Sequence, residues 1–213
     1  MEIVWLNWFL LIGIFSMALA SPGPDFVIVV RNSILYSRQI GFFTAIGFAL
    51  GVCVHVTYTL FGIAAIIAQS VFLFNLLKYA GAAYLFYIGI KALRSQGFQT
   101  ENNSELMSDP KNQLSAHSAL WSGFLTNVLN PKATIFFMAV FSQFVGPETS
   151  FITQIIYAST CVVLTAIWFS LVALVLTNPK IKAGFLKFTK WIDRVCGGLL
   201  VALGIKLALS KAV

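Results

Sequence analysis

Two proline motifs constrain this chain more than any other feature. Ser21-Pro22-Gly23-Pro24-Asp25 interrupts one apolar run, and Asn130-Pro131-Lys132 interrupts another at a matching place in the second half. Proline removes a backbone N–H and obstructs the preceding turn, so each run predicts a helix that stops and restarts. Lipid cannot satisfy the backbone groups freed by such a break. It survives at membrane depth only where protein covers it or a water-filled cavity reaches it. Paired interruptions in two halves of a chain point to a substrate site in a secondary transporter.

The runs themselves identify the solvent. Of 213 residues, 59% are hydrophobic and 10% charged, where soluble domains average about 45–50% and about 25%. A soluble fold of this composition would expose large apolar patches. The expectation is an all-α integral membrane protein, with residues 1–213 forming a single transmembrane domain. At about 20 residues per span, six transmembrane helices are predicted: Ile3 to Tyr36, broken at Pro22 and Pro24; about Gly41 to Ala68; Val71 to Leu93; Ala119 to Val145, broken at Pro131; Phe151 to Thr177; and Phe185 to Leu209. Turns are expected near Gln69-Ser70 and at Gly146-Pro147-Glu148, and Asn178-Pro179 closes the fifth helix. The segment from Trp8 to Ala20 has the look of a cleaved leader, but no basic residue precedes it, so it is read as a span.

The two halves resemble one another. Helices three and six both end in Gly-Ile-Lys after a Gly/Ala-rich stretch, at Gly89-Ile90-Lys91 and Gly204-Ile205-Lys206. Three helices per half force the second half to cross from the opposite side. This predicts two inverted three-helix repeats, about 1–94 and about 118–213, joined by a polar loop over about 95–117. The net charge of +7 gathers in the connections after helices one, three and five, and reads as topology rather than nucleic-acid binding. It places those connections in the cytoplasm and both termini outside. Trp5, Trp8, Trp121 and Trp191 stand near span ends as interfacial anchors, whereas Trp168 lies deeper. In helix six, Asp193 is close enough to pair with Lys190 or Arg194, and the long basic side chains can snorkel to the headgroups.

Chemistry should gather at the breaks. Ser21 can cap the resuming helix, with Gly23 giving the chain freedom and Pro24 opening the first turn. Asp25 then lies in that turn. It either stabilises the helix start through the dipole, or receives a substrate ammonium or a coupling proton. At the second break Asn130 caps and Pro131 opens, but Lys132 sits at the positive end of a helix, where a cation is unfavourable. Asp25, a substrate carboxylate or the headgroup layer could each compensate it. Asn127 could add a hydrogen bond. Together Ser21, Pro22, Gly23, Pro24, Asp25, Asn127, Asn130, Pro131 and Lys132 form a candidate substrate-binding or coupling site suited to a zwitterion. Gly47, Gly51 and His55, spaced by four, lie on one helix face and predict a close helix contact. His55 is either a proton relay or a hydrogen-bond partner of a neighbour such as Tyr58.

These stretches resemble the LysE/RhtB superfamily of bacterial amino-acid exporters, on its threonine/homoserine exporter side. The resemblance rests on Ser21-Pro22-Gly23-Pro24-Asp25 with Arg31-Asn32-Ser33, on Gly41 and Gly47, on Ala80-Gly81-Ala82-Ala83-Tyr84-Leu85 with Gly89, on Gly123-Phe124-Leu125-Thr126-Asn127 and on Asn130-Pro131-Lys132-Ala133. It implies a multi-pass secondary transporter of the bacterial inner membrane that exports amino acids or close derivatives, driven by the proton gradient. Many members carry Asn at the position of Asp25, so the resemblance alone assigns that residue no proton.

Other functions find less support in the residues. Cys53, Cys161 and Cys196 are far apart and form no C-x-x-C pair, and with two histidines no metal site or cofactor is expected. No Walker-type lysine motif or Ser-His-Asp arrangement indicates an enzyme. An efflux permease for a metal ion or another small solute is one alternative. A non-transporting structural subunit of a membrane complex is the other, although it leaves the paired breaks unexplained. The expected partners are an amino-acid substrate and the lipid bilayer, with a homo-oligomer left open.

Overall fold

A computed structural model of the chain describes residues 2–21, 23–69, 71–95, 114–145, 149–175 and 177–209. Pro22, Ser70, the central part of the polar segment and the Gly146-Pro147-Glu148 turn lie outside the described residues. Every regular element among the described residues is a helix. They are α1 (Glu2–Ala20), α2 (Pro24–Leu35), α3 (Arg38–Gln69), α4 (Val71–Leu93), α5 (Ala116–Val128), α6 (Pro131–Phe144), α7 (Phe151–Val175) and α8 (Pro179–Leu209).

Among the described residues, the stretches Arg38–Gly62 and Phe151–Val175 are each long and apolar enough to cross a membrane alone. Two further spans exist if each broken pair counts as one. Trp5–Ala20 with Pro24–Leu35, and Ala116–Val128 with Lys132–Phe141, each bend by 59° at the proline motif. Phe9, Phe61, Leu129, Ile152 and Leu209 are all more than 60% exposed. An outer surface of large apolar side chains suits lipid, not water.

Small residues set the packing. In α3 a side chain at Gly47 would strike the backbone of Leu120 and Phe124, and one at Gly123 of α5 would strike the Thr44 carbonyl. The two helices therefore touch backbone to backbone along the Gly47-Gly51-His55 face. A second glycine seam joins α4 to α8. Gly89 faces Gly197 and Val201, Gly197 faces Leu93, and Gly204 faces Ala82 and Phe86. Because later residues of one helix meet earlier residues of the other, these two run antiparallel. Polar cross-links tie other helix pairs: Asn32 Nδ2 of α2 donates to Thr44 Oγ1 of α3 at 3.0 Å, and Trp8 Nε1 of α1 donates to Thr160 Oγ1 of α7 at 3.0 Å.

Two apolar clusters flank the breaks. One joins Leu11 and Phe15 of α1 to Phe136, Phe137 and Val140 of α6 and to Tyr157 and Cys161 of α7. The other joins Phe26 and Val29 of α2 to Phe48 of α3 and to Phe169, Val172 and Ala173 of α7, with Trp168 packed beside it. One cluster packs against α1 and the other against α2, so the first kink is held from both sides.

Three local expectations are corrected. The last helix starts at Pro179, not near Phe185. The proline that ends the preceding helix also opens the next, because a first-turn residue needs no N–H donor. The cap of α2 is Gly23, which makes no side-chain cap bond, so Ser21 does not cap it. Asp193 pairs with neither Lys190 nor Arg194 among the described residues. It is 6% exposed and accepts hydrogen bonds from Ser21 and Ser95.

Candidate functional site

Each break is built by ordinary helix-end chemistry. α1 closes with the Ser21 N–H donating to the Met17 carbonyl at 3.1 Å, and the Gly23 carbonyl accepts the first α2 bond from Val27 N–H at 3.1 Å. Gly23 is extended (φ −157°), and Pro24 follows at the start of α2. At the second break the Asn130 N–H donates back to the Asn127 carbonyl at 3.0 Å. Asn130 Oδ1 caps α6 by accepting from the Lys132 N–H at 3.0 Å, with Pro131 as the first helical residue.

The two breaks exchange their charged side chains. Asp25 is buried, and its carboxylate is held by the second break. Asn127 Nδ2 donates to Oδ2 at 2.7 Å and Asn130 Nδ2 donates to Oδ1 at 3.2 Å. Lys132 reaches the first break, where Nζ donates to the Ser21 hydroxyl at 3.2 Å and carbonyl at 3.4 Å. Gly23 stands beside the same ammonium, and Lys132 also lies within electrostatic reach of Asp25. Each half-helix start carrying a charge is thus met by polar groups of the other break, as a buried charge requires. Asn130 uses both ends of its amide, one for the cap and one for Asp25.

Between the breaks lies a cavity of about 70 Å³. Its polar lining is Ser21, Asp25, Asn127, Asn130 and Lys132, and its apolar lining includes Phe15, Leu19, Phe136, Phe137 and Phe169. Asn127 Oδ1 is buried without a hydrogen-bond partner. Gly51 makes room for it, since a side chain there would collide with Asn127. The lining therefore offers a carboxylate and, separately, an ammonium within one small apolar-walled space.

His55 lies behind this lining and is fully buried. Its Nε2 bonds the Asn127 carbonyl at 2.9 Å, its Nδ1 bonds the Tyr58 hydroxyl at 2.7 Å, and its ring stacks on Phe137. A carbonyl only accepts, so Nε2 carries the hydrogen and Nδ1 accepts from Tyr58. Of the sequence-predicted residues, Ser21, Gly23, Asp25, Asn127, Asn130 and Lys132 line the cavity. Pro24 and Pro131 open the half-helices, and His55 is one residue removed.

Sequence reasoning missed Asp193. A signal was available: Asp193, Gly197, Leu200 and Gly204 share one face of α8 by helical spacing, and that face carries the glycine seam against α4.

The chain is similar in sequence to known proteins over nearly its whole length. A family profile described as LysE type translocator matches residues 16–211. The threonine efflux protein of Escherichia coli (strain K12) is 34% identical over 199 residues, covering 92% of this chain and 94% of that protein. The chain belongs to the LysE type translocator family. YrhP, an uncharacterized membrane protein of Bacillus subtilis (strain 168), is 31% identical over 205 residues, covering 93% of this chain and 97% of its own. No solved structure matches. Members of the LysE family are transporters, not enzymes. At family level this LysE translocator is a membrane-embedded amino-acid exporter with a small-molecule substrate.

Proposed function

We propose that the cavity between the two breaks is the amino-acid site of this exporter. The cargo's carboxylate is met by Lys132 and the half-helix N-termini, and its ammonium by Asp25 and Asn127. Pro24 and Pro131 open the half-helices whose ends face the cavity, and Ser21, Gly23 and Asn130 complete the lining. The observation that carries this reading is the exchange across the cavity, Asn127 and Asn130 on Asp25 against Ser21 on Lys132. It places opposite charges around one space, the pattern a zwitterion needs. Threonine is the first cargo to try, because the threonine efflux protein of Escherichia coli is among the relatives.

His55 serves as a support for Asn127 rather than a proton relay, since its Nε2 ends on a backbone carbonyl, which does not pass a proton onward. We assign the chain to the bacterial inner membrane, with six spans, both termini outside and energy from the proton gradient. Residues 1–213 act as one transmembrane domain. Two inverted repeats are supported by the equal bends at the two breaks and by the α4–α8 seam. Aligning Gly89 on Gly204 places Ala82 on Gly197, and the Gly89–Gly197 contact then maps onto the Gly204–Ala82 contact. Alternating access would rock one half against the other about the breaks.

The test is efflux of labelled amino acids from liposomes containing the purified protein alone. Asp25→Ala and Lys132→Ala should insert and purify normally yet lose export. Normal efflux in both variants would remove the cavity from the mechanism. An inactive parent protein in liposomes would instead favour a structural subunit.

A further inference from the structure

Behind Ser21, outside the cavity lining, lies a second polar cluster. Asp193 of α8 accepts from Ser21 Oγ at 3.1 Å and from Ser95 Oγ at 2.6 Å. The direction of the first bond is set by Lys132. An ammonium can only donate, so the Ser21 hydroxyl accepts from Nζ and spends its own hydrogen on Asp193. Ser95 is the second residue past α4 and begins the polar connection. Lys132, Ser21, Asp193 and Ser95 therefore form a continuous polar row from the cavity wall to a helix end. One turn further along α8, Gly197 packs against Leu93 with no polar group between them.

This row is an odd thing to build for stability alone. Apolar residues at a helix seam hold it as well as a buried carboxylate, and often better. Its distinctive property is connectivity, because a single side chain ties the first break to α8 and to the end of α4.

We propose that Asp193 is a latch in the transport cycle: it holds Ser21 as the wall between the cavity and the Ser95 end of α4, and release of Ser21 opens the cavity toward that end. The proposal rests on the reading of Lys132 and Ser21 as cargo-binding groups. A cargo carboxylate that takes Lys132 removes the donor that holds the Ser21 oxygen, and leaves Asp193 as the partner keeping that wall closed. Cargo thereby has the differential contact with the closed and open states that a population shift requires.

The experiment reads access to the cavity without any amino acid present. A single cysteine replaces Ala133, which lines the cavity, in a chain whose Cys53, Cys161 and Cys196 are changed to Ser. Inside-out and right-side-out vesicles are treated with a membrane-impermeant maleimide. Ser95→Ala, which removes one of the two hydrogen bonds to Asp193, should speed labelling by about tenfold, and Asp193→Ala, which removes both, should speed it further. The increase should occur only from the face at which α4 ends. Asp193→Asn should fall between, since its amide oxygen still accepts one hydroxyl. If Asp193→Ala does not fold, Ser95→Ala carries the test, because Ser95 is only half-buried and lies outside any helix. Unchanged labelling in a folded Ser95→Ala protein, or an equal increase from both faces, would overturn the latch. Either result leaves the exporter reading intact, because that reading is judged by efflux in the Asp25 and Lys132 variants.

Discussion

Asn130 binds Asp25 with one end of its amide and caps the Lys132 backbone with the other. One side chain thus serves the second break as a helix cap and the first as a hydrogen-bond donor, and the two duties can be separated by substitution. Asn130→Ser keeps a capping oxygen but is too short to reach Asp25. It should keep α6 capped and lower stability only by the hydrogen bond lost from Asp25, about 1.5–3 kcal/mol, while export falls at least tenfold. Asn130→Ala loses both and should also destabilise α6 by about 1 kcal/mol, the usual worth of an N-cap. Equal export in the Ser variant and the parent would show that the Asp25 contact is dispensable.

Gly51 is expected to matter through Asn127 and not through the fold as a whole. Gly51→Ala would push on Asn127 directly. Overpacking of this kind costs about 1–3 kcal/mol, and here the cost lands on a cavity-lining amide. Export should fall well before the protein ceases to be extractable as a sharp, single species. Gly62→Ala, on the same helix with open space around it, should be neutral or stabilising by up to about 1 kcal/mol. Efflux and thermal unfolding of the two variants, measured side by side, check both statements.

His55 offers a clean choice between support and relay. In His55→Gln the side-chain amide nitrogen can still donate to the Asn127 carbonyl, but it cannot carry protons. We expect that variant to keep export within about threefold of the parent, because a hydrogen bond of this kind contributes only about 1 kcal/mol. His55→Phe should lose most of it, having no donor for the carbonyl. Loss of export in the Gln variant with the fold intact would favour a proton relay instead.

The α4–α8 seam should tolerate no bulk at Gly197. A side chain there would come within 2.6 Å of the Gly89 carbonyl oxygen, and backbone cannot move aside as a flexible side chain can. Gly197→Ala should lower the unfolding temperature more than Gly198→Ala, whose position faces open space. An equal effect of the two would mean that the helices do not run face to face at this point.

Much of the site could be read from the chain because its signals are local. Proline positions, the Asn130 cap and the four-residue spacing of Gly47, Gly51 and His55 are all properties of a few consecutive turns. The place of Asp193 was harder to read. In Lys190-Trp191-Ile192-Asp193-Arg194, charges at adjacent positions all look equally suited to an interface. Only contacts with Ser21, 172 residues away, decide which one turns inward. Arg194 instead lies over the exposed Trp191 ring. The start of α8 was misplaced for a related reason. A proline that ends one helix is compatible with opening another, and lysines in the first turns resemble a loop until the helix is seen whole. Ser21 was expected to cap because its side chain is the right type, but the backbone puts Gly23 in that position and leaves the hydroxyl free for Lys132 and Asp193.

Asp25 waits a long time for its neighbours during synthesis. Its donor on Asn127 lies 102 residues downstream, which at ribosomal speeds is an interval of roughly 5–20 s. Throughout it the nascent amino-terminal half carries an acidic group with no companion. The insertion machinery must therefore shelter that half, or leave it near water, until the carboxy-terminal half emerges, so the order of manufacture is written into the same pairing that shapes the finished carrier.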